Sequence, residues 1–218
     1  MTTFLSVIEI LYLFFLPPVA YYILRRRTDA AIKPLIIGYL TYMFVSMFRA
    51  VLRLLALNGV SGTAAVFISA LLSGVLEEAG RYFAMKHIMH EHDMWRDGIS
   101  YGIGHGGCEL FLGILPLMVG DLIDGAENSG IFAMISLSGC IAFHIAMSLI
   151  VMASVHYRDS KKYLYIAMAL HTLVDLIGGL LMRESAELYL IIDLLMDAAV
   201  VYFAYRLTKK LDEDYDTM

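Results

Sequence analysis

The stretch 63-TAAVFISALLSGVLEEAGRYFAMKH-87 is apolar for most of its length, yet it carries Glu77, Glu78 and Arg81 inside it. A helix needs about 20 predominantly apolar residues to cross a bilayer, and this segment meets that length. Ionised side chains within hydrocarbon cost about 3 kcal/mol or more, so they persist there when paired, reached by water or needed for chemistry. At helical spacing Arg81 follows Glu78 by three residues and Glu77 by four, which lets one guanidinium reach either carboxylate. Two acids sharing one cation leave one of them for other work.

The rest of the 218-residue chain has the same character. It is 60% hydrophobic and 17% charged, with a mean hydropathy of +0.71. This composition belongs to integral membrane proteins, and the length allows up to about eight spans. Seven apolar segments stand out, at about 4 to 24, 34 to 57, 63 to 87, 98 to 119, 130 to 155, 163 to 182 and 187 to 207. The expected fold is all-α, a polytopic membrane helix bundle of about seven transmembrane helices. No polar linker divides it, so residues 1–210 form one transmembrane domain with a catalytic core at about 63–182, and 211–218 form an acidic tail that frays. Pro17-Pro18 is expected to kink the first helix, Pro34 suits the first turn of the second, and Asn58 to Gly62 reads as a turn. No basic residue precedes the first apolar run, which is therefore expected to be a retained helix and not a removable signal. The net charge of -5 offers no basic tract for nucleic acid. Cys108 and Cys140 fall in apolar stretches without close spacing, so they read as small packing residues and not as a disulfide or zinc ribbon.

Lysine and arginine counts orient the bundle. Twelve of the sixteen, from Arg25-Arg26-Arg27 through Lys33, Lys86, Arg96, Arg158 and Lys161-Lys162 to Arg206 and Lys209-Lys210, fall in loops on one side. Only Arg183 falls on the other, while Arg49, Arg53 and Arg81 lie within helices. The basic side is expected in the cytoplasm, with the N-terminus outside and the C-terminus inside. The loop carrying Asp121, Asp124 and Glu127 then lies outside.

A rise of about 1.5 Å per residue places Glu77 and Glu78 about 10 to 15 Å above the cytoplasmic end of the third helix. His105, His144 and His171 on the next three helices fall at about 10 to 17 Å on the same rise. Each has an oxygen-bearing residue one turn later: Glu109, Ser148 and Asp175 respectively. Such a partner can bind one ring nitrogen and orient the other. A lone intramembrane histidine is a packing hydrogen bond more often than a ligand. Three at one depth beside two glutamates point to a site. Gly98, Gly102 and Gly106 recur every fourth residue on the fourth segment, with Gly104 and Gly107 between, so this helix is expected to pack tightly in the interior. Arg49, Arg53, Glu9 and Asp193 come out toward the outer leaflet and are expected to neutralise one another; Asp197, near mid-depth, suits either group. His87, His90 and His92, with Glu91, Asp93 and Arg96, read as a solvated loop.

A carboxylate beside histidine in a dehydrated cavity can hold and deprotonate water, the first requirement for amide hydrolysis. Histidine and aspartate on other helices can then donate to the carbonyl oxygen as it gains charge. Alternatively His105, His144 and His171, or two of them with Glu78, suit zinc, leaving a coordination position for water. The His-Glu-x-x-His helix signature is absent, and metal-free and metal-dependent hydrolysis both stay open.

Glu77-Glu78-x-x-Arg81, Tyr101-x-x-x-His105 and His171-x-x-x-Asp175 resemble the three motifs of the type II CAAX prenyl protease and bacteriocin-processing superfamily. Within it, the run from Gly102 to Glu109 most resembles the YhfC-type family, described as intramembrane metalloproteases. The resemblance implies Glu77 as water-activating base assisted by His105, with His171 and Asp175 polarising the scissile carbonyl, and Glu78 and Arg81 shaping the centre. It also implies a membrane-associated peptide or protein substrate within the bilayer of a prokaryotic-type plasma membrane. The wider superfamily has three residues between the second glutamate and the arginine where this chain has two, so both glutamates remain candidates for the base. Tyr101 stands for the usual Phe and Asp175 for the usual Asn, and the charge of Asp175 suits it to orient His171. Two other functions use the same residues: a proton- or cation-coupled transporter, which needs a polar route to both faces, and a non-catalytic scaffold.

Overall fold

A computed structural model describes residues 2–124, 131–156, 160–182 and 185–216, and among these every regular element is helical. The helices are α1 (Thr2–Thr28), α2 (Ile32–Ala56), α3 (Gly62–His87), α4 (Trp95–Glu109), α5 (Leu115–Asp124), α6 (Ile131–His156), α7 (Lys162–Leu181) and α8 (Ala186–Asp216). Among the described residues seven crossings are long and apolar enough for a membrane, because α4 and α5 are halves of one segment, Trp95–Asp124, joined by a π-helical turn at Leu110–Ile114. Large apolar side chains such as Phe44, Leu54 and Ile123 point outward from the bundle, the pattern expected where lipid and not water is the surrounding solvent.

Several local expectations are refined. Pro17 and Pro18 lie inside α1, which stays helical through them. Pro34 sits in the first turn of α2, where a missing backbone N–H costs no helical bond. The turn before α3 places Gly59 at φ 76, a left-handed conformation open to glycine. Asp121 and Asp124 belong to α5 and not to a loop, and the tail expected to fray continues α8 to Asp216. Arg158, Arg183 and Glu127 lie outside the described residues.

Five crossings close a ring. α2 packs on α3 and α4, α3 on α7, α7 on α6, and α6 on α4; α1 lies outside against α4, α5 and α6, and α8 against α6 and α7. The glycines of α4 make the ring tight. A Cβ on Gly102 would stand 2.5 Å from Ile145 Cα of α6, and one on Gly104 would stand 2.0 Å from the Leu35 carbonyl oxygen of α2. Gly38 of α2 repeats this, its Cβ falling 2.1 Å from the Tyr101 carbonyl oxygen. Backbones this close leave no room for a side chain.

The ring is filled unevenly. At the end where α3 stops and α4 begins, Ala84, Met85, Met89, Met147, Ile150 and Met152 are buried together. Toward the α2–α3 turn no comparable plug exists among the described residues, and α5 buries none of its own. The polar centre lies between these two ends.

Candidate active site

Each ring helix contributes side chains to one cluster. α3 supplies Glu77, Glu78 and Arg81, α4 supplies His105 and Glu109, α6 supplies His144 and Ser148, α7 supplies His171 and Asp175, and α2 supplies Tyr42 and Arg49. Glu77, Glu78, Arg81, His105, His144 and His171 are all buried, so the shared level read from helix rise corresponds to one shared chamber.

Within it the carboxylates are shared out. Glu78 Oε2 lies 3.1 Å from Arg81 Nε, and its Oε1 lies 2.7 Å from His171 Nδ1. Glu77 Oε1 accepts from Arg49 Nη1, while Oε2 lies 3.3 Å from His105 Nε2 and 3.9 Å from His171 Nε2. His171 Nε2 also stands 3.8 Å from Asp175 Oδ1, so one imidazole faces three carboxylates. Arg81 Nη1 donates to the His144 carbonyl oxygen at 2.8 Å and to Ser148 Oγ at 2.5 Å, and its Nη2 lies 3.2 Å from His144 Nδ1. His144 Nε2 pairs with Glu109 Oε2. Ring contacts fix the imidazoles: His105 packs against Tyr42 at 5.1 Å and His144 at 5.0 Å, and Phe143 lies 5.2 Å from His171.

Four sequence expectations are corrected here. Arg81 does not serve both acids; each glutamate has its own guanidinium, Glu78 that of Arg81 and Glu77 that of Arg49. Arg49 therefore leaves the outer neutralising set and joins the centre. The reason is side-chain direction, because helix side chains lean toward the helix N-terminus. α2 and α3 run antiparallel, so Arg49 leans away from the turn and Glu77 toward it, and the two meet. Glu109 pairs with His144 across the α4–α6 interface and not with His105 one turn earlier. Ser148 donates to the His144 carbonyl at 2.7 Å and accepts from Arg81, which makes it a bracket for α6 and not a partner of the His144 ring.

Of the remaining outer set, Arg53 and Asp193 line one cavity, and Glu9 is buried on α1. Asp197 is buried on α8, with Oδ2 2.8 Å from where a Gly139 Cβ would be. His87 and His90 are exposed, as a solvated loop requires; His92 lies 3.6 Å from Asp97. Cys108 and Cys140 are unpaired, and Cys140 Sγ comes within 3.7 Å of Glu109 Oε2.

The family model for the YhfC intramembrane metalloprotease matches residues 12–139, more than half of the chain. The chain belongs to this family. The matched part of the YhfC member spans α1 to the first turns of α6, and so includes Glu77, Glu78, Arg81, His105 and Glu109. A relative from Bacillus subtilis (strain 168), the uncharacterized membrane protein YhfC, is 28% identical over 223 residues, covering 82% of this chain and 86% of its own. No solved structure matches. With seven crossings among the described residues and this relative, the chain is an integral membrane protein of a prokaryotic-type membrane.

The family name implies a metal, and the donors fit one. Glu77, His105 and His144 each bring a ligand atom within 4.8 Å of the others, and Glu109, Cys140 and His144 form a second such group. Glu77 thus takes the place expected of Glu78, whose oxygens face Arg81 and His171, and His171 lies outside the compact group. Four carboxylates (Glu77, Glu78, Glu109, Asp175) face two guanidiniums, leaving the formal charge that one dication balances when the imidazoles are neutral. His105 Nδ1 has no hydrogen-bond partner among the described residues, whereas both nitrogens of His144 are engaged. A metal bound through His144 would displace Arg81 or Glu109 from its ring.

Tyr42, Arg49 and Cys140 are the members the sequence did not place at the centre. A usable signal was present in α2, where Tyr42 and Arg49 are seven residues apart and so share one helix face.

Proposed function

We propose that the chain is an intramembrane peptidase, hydrolysing a peptide bond of a membrane-associated peptide or protein with water activated by Glu77. The observation that carries this is the placement of Glu77, buried where α2, α3, α4 and α7 meet, with one oxygen on Arg49 and the other toward His105 and His171. Glu77 takes a proton from water as its oxygen attacks the carbonyl carbon. The carbonyl electron pair moves onto oxygen, where His105 and Arg49 supply hydrogen-bond donors and positive charge. When the C–N bond breaks, the proton held by Glu77 passes to the leaving nitrogen, directly or through His171 Nε2. Glu78, on Nδ1, holds that ring so that Nε2 faces Glu77 and Asp175.

Glu77, His105 and His144 are the residues that would hold a metal, in which case Glu77 would be its ligand and Glu109, beside His144, the carboxylate left to take the proton from water; imidazole with carboxylate favours zinc. Bound zinc would supply Lewis acidity at the carbonyl and make water more acidic. The apolar plug at the Met85 end of the ring interrupts the polar route that a transporter would need on both faces.

The test is cleavage of a membrane-peptide library by reconstituted protein, read by mass spectrometry. Glu77→Gln should lower the rate by about 100-fold or more, within the range of general-base loss, while elution and thermal unfolding show folded protein. Folded Glu77→Gln protein that cleaves at the parent rate removes the assignment. Metal analysis of the same preparation should find one divalent ion per chain, lost in His105→Ala.

A further inference from the structure

The cluster is closed on one side and open on the other. Its exposure is graded: Glu78, Arg81 and His105 side chains are fully covered, but Glu109 is 28% and Asp175 34% exposed. Both exposed members lie on the side of the α2–α3 turn. From there a cavity of about 460 Å³ runs between α2, α3, α7 and α8, with Ser73 and Asp175 at its inner end and Leu57 and Met182 at its mouth. Its α3 wall, which also holds Val66 and Ala70, includes a stripe at every fourth residue, Ala65, Ser69 and Ser73, whose next member is Glu77. Ser73 accepts from Arg49 Nη1 at 2.6 Å, the same nitrogen that serves Glu77, so the inner end of the cavity is one shared guanidinium away from the centre. On α7 the wall is Val174, Asp175, Gly178 and Gly179, and the two glycines let the Tyr189 ring and Val66 pack close on either side. Toward the opposite end the way is filled by Met85, Met89, Met147 and Met152.

Resting on the peptidase reading, we infer that the substrate reaches Glu77 as an extended segment entering from the α2–α3 turn end, through the cavity between α3, α7 and α8. The size of the cavity favours an extended segment. A turn of helix about 10 Å across and 5.4 Å long displaces about 420 Å³, so the cavity takes only about three or four residues, a stretch too short to hold a helix by itself. Extended backbone within a membrane needs partners for its N–H and C=O groups, and the walls offer Ser69, Ser73, Asp175, Tyr189 and Asp193 for that purpose. The lysine and arginine bias places this mouth on the extracytoplasmic face. The substrate class is therefore an exported or outer-leaflet polypeptide with an unwound segment at the bilayer, although the carboxylates themselves lie nearer the other end of α3.

Cysteine accessibility in sealed vesicles of known orientation tests this, with a membrane-impermeant maleimide and Asn58→Cys and Lys86→Cys marking the two ends. Ser69→Cys and, one turn nearer the mouth, Ala65→Cys should label above the parent chain from the Asn58 side. The Ser69→Cys adduct should reduce cleavage by about 100-fold, as displacement of substrate by even 1 Å can. The Lys86→Cys adduct should leave cleavage unchanged. Labelling from the Lys86 side, labelling from neither side, or full cleavage by the Ser69 adduct would each overturn the route. Labelling needs no turnover, so a failed peptidase reading shows separately, as full activity in Glu77→Gln.

Discussion

Arg81 is a fully buried guanidinium within a membrane-spanning helix, held by Glu78, the His144 carbonyl and Ser148. Removing one member of such a buried pair leaves the other charge without compensation, at about 3 to 5 kcal/mol. Arg81→Met should therefore lower the thermal midpoint in detergent sharply. Glu78→Gln with Arg81→Met should recover part of that loss, because the stranded carboxylate is gone. A double-mutant cycle in which the two changes simply add would show that the pair is not coupled. The motif residues Glu77, Glu78, Arg81, His105 and His171 were legible in the sequence because charge and imidazole are conspicuous against an apolar background. Their partners were not. Spacing along one helix suggested Glu109 for His105 and either glutamate for Arg81, but neighbours within a helix are fixed by sequence whereas neighbours between helices depend on which faces pack. Arg49 illustrates the difference: its level on α2 pointed to the outer set, and the lean of its long side chain brought it to Glu77.

The glycines of α4 divide by face, and this carries the next test. Gly98, Gly102 and Gly106, the every-fourth set, meet α6 at Met152, Ile145 and Ile141, while Gly104 meets α2 at Leu35 and Gly107 meets α1 at Pro17. Gly104→Ala would put a methyl group 2.0 Å from a backbone oxygen that cannot rotate away. The cost is that of overpacking, about 1 to 3 kcal/mol or more, and should appear as a lower thermal midpoint. Gly120→Ala is the control, since no atom within 4 Å meets its Cβ. Equal midpoints for the two variants would rule out the tight α2–α4 contact. The stripe itself was legible, as were the seven crossings, because both follow from period and hydropathy. The π-helical turn at Leu110–Ile114 was not. Its LFLGI sequence has no proline and no polar residue to mark it, yet it directly follows Glu109, and such turns recur at functional sites.

Across the whole molecule, one end of the bundle gathers the cations and the apolar plug, and the other the cavity mouth. Arg25, Arg26, Arg27, Lys33, Lys86, Arg96, Lys161 and Lys162 lie at or beside helix ends on the plugged side, and Arg206, Lys209 and Lys210 lie on the last three turns of α8 beside Lys162. Two contacts tie loops together there, Lys33 to Glu91 at 3.8 Å and Arg96 to the Thr28 carbonyl at 3.4 Å. The cation bias predicts that this end faces the cytoplasm, and the seven crossings among the described residues predict termini on opposite faces. A reporter active only in the cytoplasm should therefore work when fused after Met218 and fail when fused before Met1, with the reverse pattern for a reporter active only outside. Substituting Arg25, Arg26 and Arg27 together by Gln should weaken this preference, because the first helix usually dominates orientation. The opposite reporter pattern would refute the orientation and turn the cavity mouth toward the cytoplasm. It would leave the geometry of entry intact, since the mouth is defined by Asn58 and the plug by Lys86 whichever face each occupies.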